Sequence, residues 1–409
     1  MNMLDKLKIL FFSILFAWIS FFPQPLQERY FMPVRLSLCL FLIIFLLEQR
    51  GLKNLFNFKD WPLWLFLITL SAGTVSALNK NLAIKTYLYL FTTLFFVFYI
   101  GKAIFRFDKD RDMVCLVICL LSGIVALIGL MELHFGKNIL YENFIANPYY
   151  ERYVRCNPRP MSTLLNPVIL GSYLLGCLPF SLYFLKNKSL ALRILGISSS
   201  LLCAAIIIRT FSRGVFLGLI VLLLFYLWKG RKKLLLWFIF CLSLFIIICS
   251  YQKDPNLNRF GFSRFISGSY DSVFSEYRFS RVKMTFRILK EHPFAGIGFN
   301  HFRLRFDEYC EPKYRSRELY EFMIPDNMYL TLLAEAGIIG AFGFLFFIFF
   351  LLKTGLKSSG RLNLLVFSAM LGLLANMAGY DLFYWQSTYM LFCLILGFIN
   401  ALSLNASRA

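Results

Sequence analysis

Histidine is nearly missing from this chain: His134, His292 and His301 are the three in 409 residues. The ten cysteines include no Cys-x-x-Cys pair and no Cys/His spacing of a metal site, so a zinc centre is not expected. Acidic residues are scarce too, with 22 Asp and Glu against 43 Lys and Arg and a formal net charge of +21. In a soluble domain that excess would suggest nucleic acid. Here much of it falls in short loops between apolar blocks, where it orients a membrane chain instead. Nucleic acid is therefore not expected as a partner. The Gly296-Ile297-Gly298 turn has no Walker lysine and no preceding strand, which argues against a nucleotide site and for a structural turn.

Long polar sequence is also rare. The chain is 59% hydrophobic and 18% aromatic, with 48 Phe. A soluble domain is roughly 45–50% apolar. The excess falls in blocks of about 17–25 residues, the length that crosses a hydrocarbon core as a helix. The blocks predict spans at Ile9–Phe22, Pro33–Leu47, Trp61–Leu78, Thr86–Ile104, Met113–Leu133 and Leu164–Leu185. They continue at Leu190–Ile208, Val215–Trp228, Leu234–Ser250, Met328–Leu352, Leu362–Tyr384 and Thr388–Leu404. The first, after basic Met1–Lys8, is followed by no small-residue cleavage site and reads as a span rather than a signal.

The expected fold class is thus an all-α polytopic membrane protein of about twelve transmembrane helices. Residues 1–250 carry the first nine, 251–325 form a large extracytoplasmic lid, and 326–409 carry the rest. Basic loops around Lys8, Lys53, Lys102, Lys188, Lys232 and Lys357 alternate strictly with the others, so the positive-inside rule places them and both termini in the cytoplasm. Loops 134–163 and 251–325 then lie outside. No matching halves of the kind common in transporters are visible. Eight cysteines fall within or at the edge of spans and read as small core residues. Cys156 and Cys310 share the outer face, where a disulfide would tie the two loops.

Permanent charge near membrane depth is costly and usually has a partner or a role. Arg209-Thr210-Phe211-Ser212-Arg213-Gly214 joins two spans on the outer face. Its arginines read either as snorkelling ends or as an anion clamp, since the guanidinium fork matches phosphate oxygens. The lid segment Tyr277–Lys290 holds Val282, Phe286 and Leu289 at helical spacing, with Arg278 and Arg281 three apart on one face. It predicts an amphipathic helix near the membrane surface, with Lys283 and Lys290 facing ligand or anionic headgroups and Arg281 facing ligand. His292-Pro293 ends it. Asp326 opens the tenth span, as an N-cap or as a general base beside the arginines. Glu335 lies deeper and is suited to holding helices together. Asp381 and Trp385 could offer polar and stacking contacts to a sugar.

In this order the motifs resemble the O-antigen ligase/polymerase superfamily of bacterial surface-polysaccharide assembly. The residues that carry it are Ser212-Arg213-Gly214, Ser280-Arg281, His292-Pro293 through Gly298, and Asn327 through Gly340 with Glu335-Ala336-Gly337. The resemblance implies a GT-C-like helical fold in the bacterial inner membrane, with the site facing the periplasm. It implies a donor glycan on undecaprenyl diphosphate, passed to lipid A–core by a ligase or to a second lipid-linked glycan by a polymerase. The essential family arginines fall on Arg213 and Arg281. Family ligases commonly carry His where this chain has Asp326. The implied site has Asp326, Arg213 and Arg281 as catalytic residues, and Arg209, Arg278, Arg287, His292 and Asp381 against diphosphate or glycan. Charge stabilisation by the arginines would make a divalent metal unnecessary, so metal-independent, inverting transfer is expected, with no cofactor. The rival reading is a transporter or flippase of lipid-linked sugars.

Overall fold

The computed structural model describes residues 3–21, 60–105, 108–138, 140, 159–230, 272–312, 324–357 and 360–406. The expected spans Pro33–Leu47 and Leu234–Ser250, and Cys156, lie outside them. The described residues are helical and contain no strand.

The helices are α1 (Met3–Phe21), α2 (Trp61–Leu70), α3 (Ala72–Val75), α4 (Lys80–Ile104), α5 (Asp108–Phe135), α6 (Pro167–Tyr183) and α7 (Leu190–Arg209). They continue as α8 (Arg213–Gly230), α9 (Ser272–Glu291), α10 (Phe306–Tyr309), α11 (Met328–Lys357), α12 (Arg361–Asn376) and α13 (Gln386–Ala406). Among the described residues six helices are long and apolar enough to cross a membrane, and shorter apolar helices cover 8–21, 61–75 and 386–402. The chain is thus a multi-pass membrane protein. Span limits follow local chemistry. Asn166 starts α6 by accepting from Val168 and Ile169 N–H at 2.8 and 3.3 Å, with Pro167 in the first turn.

Two helices form the middle of the bundle. α6 and α13 are buried along almost their whole length. α4 lies against α13 at a glycine contact, where a methyl group on Gly397 would come within 2.2 Å of the Phe98 carbonyl. α8 meets α12 in the same way through Gly218 and Gly372, with 2.4 Å to the Gly372 carbonyl. Small residues at such seams let backbones approach where lipid supplies no hydrophobic drive.

Two expectations need correcting. The predicted span Leu362–Tyr384 is helical only to Asn376, and Met377–Gly379 and Leu382–Tyr384 form two 3-10 turns at its end. This corner builds the candidate site. Lys102 was expected in a basic loop, yet it is buried inside α4. Its Nζ lies 2.5 Å from Asp60, which also accepts from Asn400 Nδ2 at 3.2 Å. A charge so paired no longer counts as a loop cation.

Candidate active site

Five pieces of chain converge at one end of the bundle: the connection 209–214, the lid helix α9, the turn 293–298, the start of α11, and the corner 376–384. α11 opens at Asn327, whose Oδ1 accepts from Tyr329 and Leu330 N–H at 3.0 and 3.2 Å. Its Nδ2 donates to the Ala378 carbonyl at 2.9 Å. Asn327 is therefore the N-cap, and the alternative reading of Asp326 as the cap is wrong by one residue. Freed from capping, Asp326 takes a left-handed backbone, φ 52°. That region costs a non-glycine residue about 1–3 kcal/mol and persists only where neighbours fix it.

Asp381 fixes it. Its carboxylate accepts from the Asp326 N–H at 2.7 Å, the Asn327 N–H at 3.2 Å and the Thr331 hydroxyl. The sequence suggested Asp381 as a sugar contact. It is instead 1% exposed, and its oxygens are occupied by these donors. Its role in the structure is to hold Asp326.

Held this way, the Asp326 carboxylate, 37% exposed, pairs with Nη1 of Arg281, which is 3% exposed. Arg281 shares the buried face of α9 with Met284, Thr285 and Ile288. That face packs on α11, and Met284 and Ile288 join Ile297, Phe302 and Phe306 of the lid and Ala334 of α11 in a small core between the two. The arginine is thus set on a rigid element rather than a loose loop.

The chain beside Arg213 meets the same corner, with the Arg213 side chain exposed. A methyl group on Gly214 would lie 2.8 Å from Asn376 Oδ1 and 3.5 Å from Gly379 Cα, so the connection 209–214 is pressed on residues 376–379. The corner also bonds Asn327 through Ala378 and Asp326 through Asp381. The backbone at Gly214 and the start of α11 at Asp326 and Asn327 therefore both contact the stretch 376–381. Arg209 is exposed, its guanidinium 5.8 Å from the Phe211 ring centre. Arg159, which the sequence did not single out as a site residue, donates from Nε to the Thr210 carbonyl at 2.5 Å and so fixes this connection from loop 134–163.

The other expected residues belong to the lid. Arg287 donates to the Tyr309 carbonyl at 2.9 Å and lies 3.4 Å from Glu311. His292 Nε2 is 3.2 Å from Arg305, which forks onto Glu308 at 2.6 and 2.5 Å. These contacts stiffen the lid and lie outside the Arg281–Asp326–Asp381 cluster. Arg278 lies in α9, on the part whose side chains fall outside the described residues.

The Gly-x-Gly segment is a structural turn, and its position is informative. α11 breaks at Gly337, with φ 65° and ψ −167°. Into the break comes the lid turn. Ile297 and Gly298 N–H donate to the Ala334 and Glu335 carbonyls at 2.9 and 3.0 Å, and Ile338 and Ile339 N–H donate to Pro293 and Phe294 at 2.9 and 3.2 Å. Irregular backbone inside a membrane span survives only where protein satisfies it. Glu335, just before the break, accepts from the Tyr384 hydroxyl and from Phe302 N–H at 3.3 Å. His301, buried nearby, is used structurally: Nε2 accepts from Asn79 N–H at 2.9 Å while Nδ1 is 2.7 Å from the Phe299 carbonyl.

Burial raises Asp381 to about 7 from 3.8, with the nearby Asp326 charge adding to the rise, while the Thr331 hydroxyl, the Asp326 N–H and Arg281 oppose it. A folded state that holds this proton more tightly than the unfolded chain gains stability at low pH. The gain is complete below about pH 4 and is lost as pH rises through about 7. Melting temperature in detergent should therefore fall between pH 4.5 and 8 in the parent. The slope should flatten in Asp381→Asn.

Residues 198–345 match the family model described as O-antigen ligase. No curated protein matches the chain. The matched stretch runs from α7 into α11 and contains Arg209, Arg213, Arg281, the inserted turn, Asp326 and the Gly337 break, while the corner that carries Asp381 lies beyond it. The stretch that carries these arginines, Asp326 and the inserted turn is thus similar to an O-antigen ligase domain, which supports a multi-pass membrane enzyme of O-antigen ligase or polymerase type.

Proposed function

We propose that this protein is a bacterial inner-membrane glycosyltransferase of O-antigen ligase type. It would transfer a glycan from undecaprenyl diphosphate to a hydroxyl of lipid A–core, at the periplasmic face and without a metal. The observation that carries the reading is Asp326: a carboxylate held at a left-handed backbone by one buried aspartate and paired with one buried arginine.

The pair suggests how donor binding readies the base. Arriving diphosphate competes for Arg281, and Arg213, exposed beside the same corner, meets it. Arg209, at the exposed rim, adds charge. Arg281 turns its donors to phosphate oxygens, and Asp326 is released. The acceptor hydroxyl attacks the anomeric carbon, its proton passes to Asp326, and the carbon–oxygen bond to diphosphate breaks with its electron pair on the leaving undecaprenyl diphosphate. Direct displacement inverts the anomeric centre. Arginines preorganised where charge grows are worth more there than in water.

Family ligases commonly have His at this position, and Asp326 therefore favours a second reading, a repeat-unit polymerase using the same donor. Purified protein in detergent, given lipid-linked glycan with and without lipid A–core, tests both. The ligase reading expects glycan on lipid A–core and released undecaprenyl diphosphate only when the acceptor is present. Lengthened lipid-linked glycan from donor alone would replace it with the polymerase. No new glycosidic bond in either arm would leave transport, since detergent leaves no compartments to cross.

A further inference from the structure

The lid helix has two faces, and the site uses one. Ser280, Arg281, Met284, Thr285 and Ile288 face the protein. On the opposite side Phe279 and Phe286, seven residues apart, are 62% and 60% exposed. Lys283 and Lys290 have the same spacing one turn on and are also exposed, with the Lys283 ammonium 5.2 Å from the Phe279 ring centre. Just past the helix end Phe294 is 68% exposed. The sequence pattern drew attention to Val282, Phe286 and Leu289 as one apolar stripe. The structure shows that of these only Phe286 faces outward, with Val282 and Leu289 half-buried at the flank, and that Met284 and Ile288 make the inward stripe.

The place of Phe294 indicates what covers that outward stripe. Its carbonyl accepts the Ile339 N–H at the break in α11. Ile339 begins the exposed apolar row of that membrane helix, which continues through Phe342, Leu345 and Phe349. A row of that kind on a spanning helix is the surface lipid wets. Phe294 is therefore continuous with the lipid-facing wall, and the Phe286–Phe279 stripe extends from it along α9. Aromatics with lysines beside them are the composition of a helix lying in the headgroup region.

We propose that α9 is docked in the bilayer interface. Phe279, Phe286 and Phe294 enter the acyl boundary, and Lys283 and Lys290 reach headgroup phosphates. The lid is then a wall between site and lipid rather than a roof over water. Arg281, on the other face of the same helix, lies at headgroup depth, the depth of the phosphates of any membrane lipid. The placement of α9 does not depend on which reaction the site performs, so its test is separate from the transfer assay.

The photo-cross-linker benzoylphenylalanine, placed one position at a time at 279, 286 and 294, replaces an exposed aromatic by an aromatic and spares the fold. The full chain is reconstituted in nanodiscs of phosphatidylethanolamine and phosphatidylglycerol, irradiated, and weighed intact by mass spectrometry. The expected result is phospholipid adducts at all three positions, with none at the exposed lid residue Asp307. Adducts missing at 279 and 286 would place that face in water and overturn the proposal. A cross-linked dimer of the chain at those positions would overturn it equally, by making the stripe an interface between copies.

Discussion

Replacing Arg281 with alanine is expected to lower glycan transfer by about two to three orders of magnitude, the range for removing one preorganised donor to a developing anion. Arg281→Lys should recover little of it, because a point charge does not reproduce the planar fork that meets two phosphate oxygens. A purely structural arginine would also lose activity if the lid collapsed, so the pairing with Asp326 is the key to the test. Breaking a fully buried ion pair costs about 3–5 kcal/mol. Asp326 is 37% exposed, so water replaces much of what the arginine gave it, and the stability loss should be smaller. If the pair only held the lid, Arg281→Ala combined with Asp326→Ala would remove the stranded carboxylate and restore function. With arginine as clamp and aspartate as base, the double variant stays inactive while melting near the parent temperature. Recovery of transfer in the double variant would remove both residues from the chemistry.

The residues the sequence singles out as candidates are those that contrast with their surroundings. Arg213 and Asp326 are charged residues at the edges of apolar blocks in a chain that is 59% hydrophobic, and Arg281 lies at helical spacing with apolar residues inside the long polar segment. The helices found at 80–104, 108–135, 190–209 and 328–357 cover the blocks read there, because hydropathy decides burial in lipid. What could not be read depends on distant partners. Asp326 and Asn327 are both good capping residues, and the choice between them rests on Asp381, 55 positions away. Arg159 looks like any loop cation until Thr210 is beside it. The break in α11 leaves no hydropathy signal, since every residue around Gly337 is apolar or small apart from Glu335. Lys102 misled the count of loop charges for the same reason: its partner, Asp60, is 42 residues earlier.

Gly337→Ala is expected to be the most damaging single methyl group in the protein. At φ 65° and ψ −167° the backbone is in a region open essentially to glycine, a strain of about 1–3 kcal/mol for any other residue. Space is also lacking. The added carbon would lie 2.3 Å from the Phe294 carbonyl oxygen and 2.7 Å from the Ala295 nitrogen, and backbone there cannot swing aside like a side chain. The turn must leave, and it takes with it four backbone hydrogen bonds. Each group left unsatisfied out of water costs about 1–3 kcal/mol. Gly136→Ala separates strain from collision, since φ there is 69° and nothing lies within 4 Å of the added carbon. Gly136→Ala should lower the melting temperature in detergent by a few degrees, the effect of about 1 kcal/mol. Gly337→Ala should lower it several times further, abolish transfer, and open the lid between Glu291 and Tyr309 to protease while the spans stay protected. Equal melting shifts in the two variants would show that the turn yields freely. The lid would then be hinged at the break rather than fastened by it.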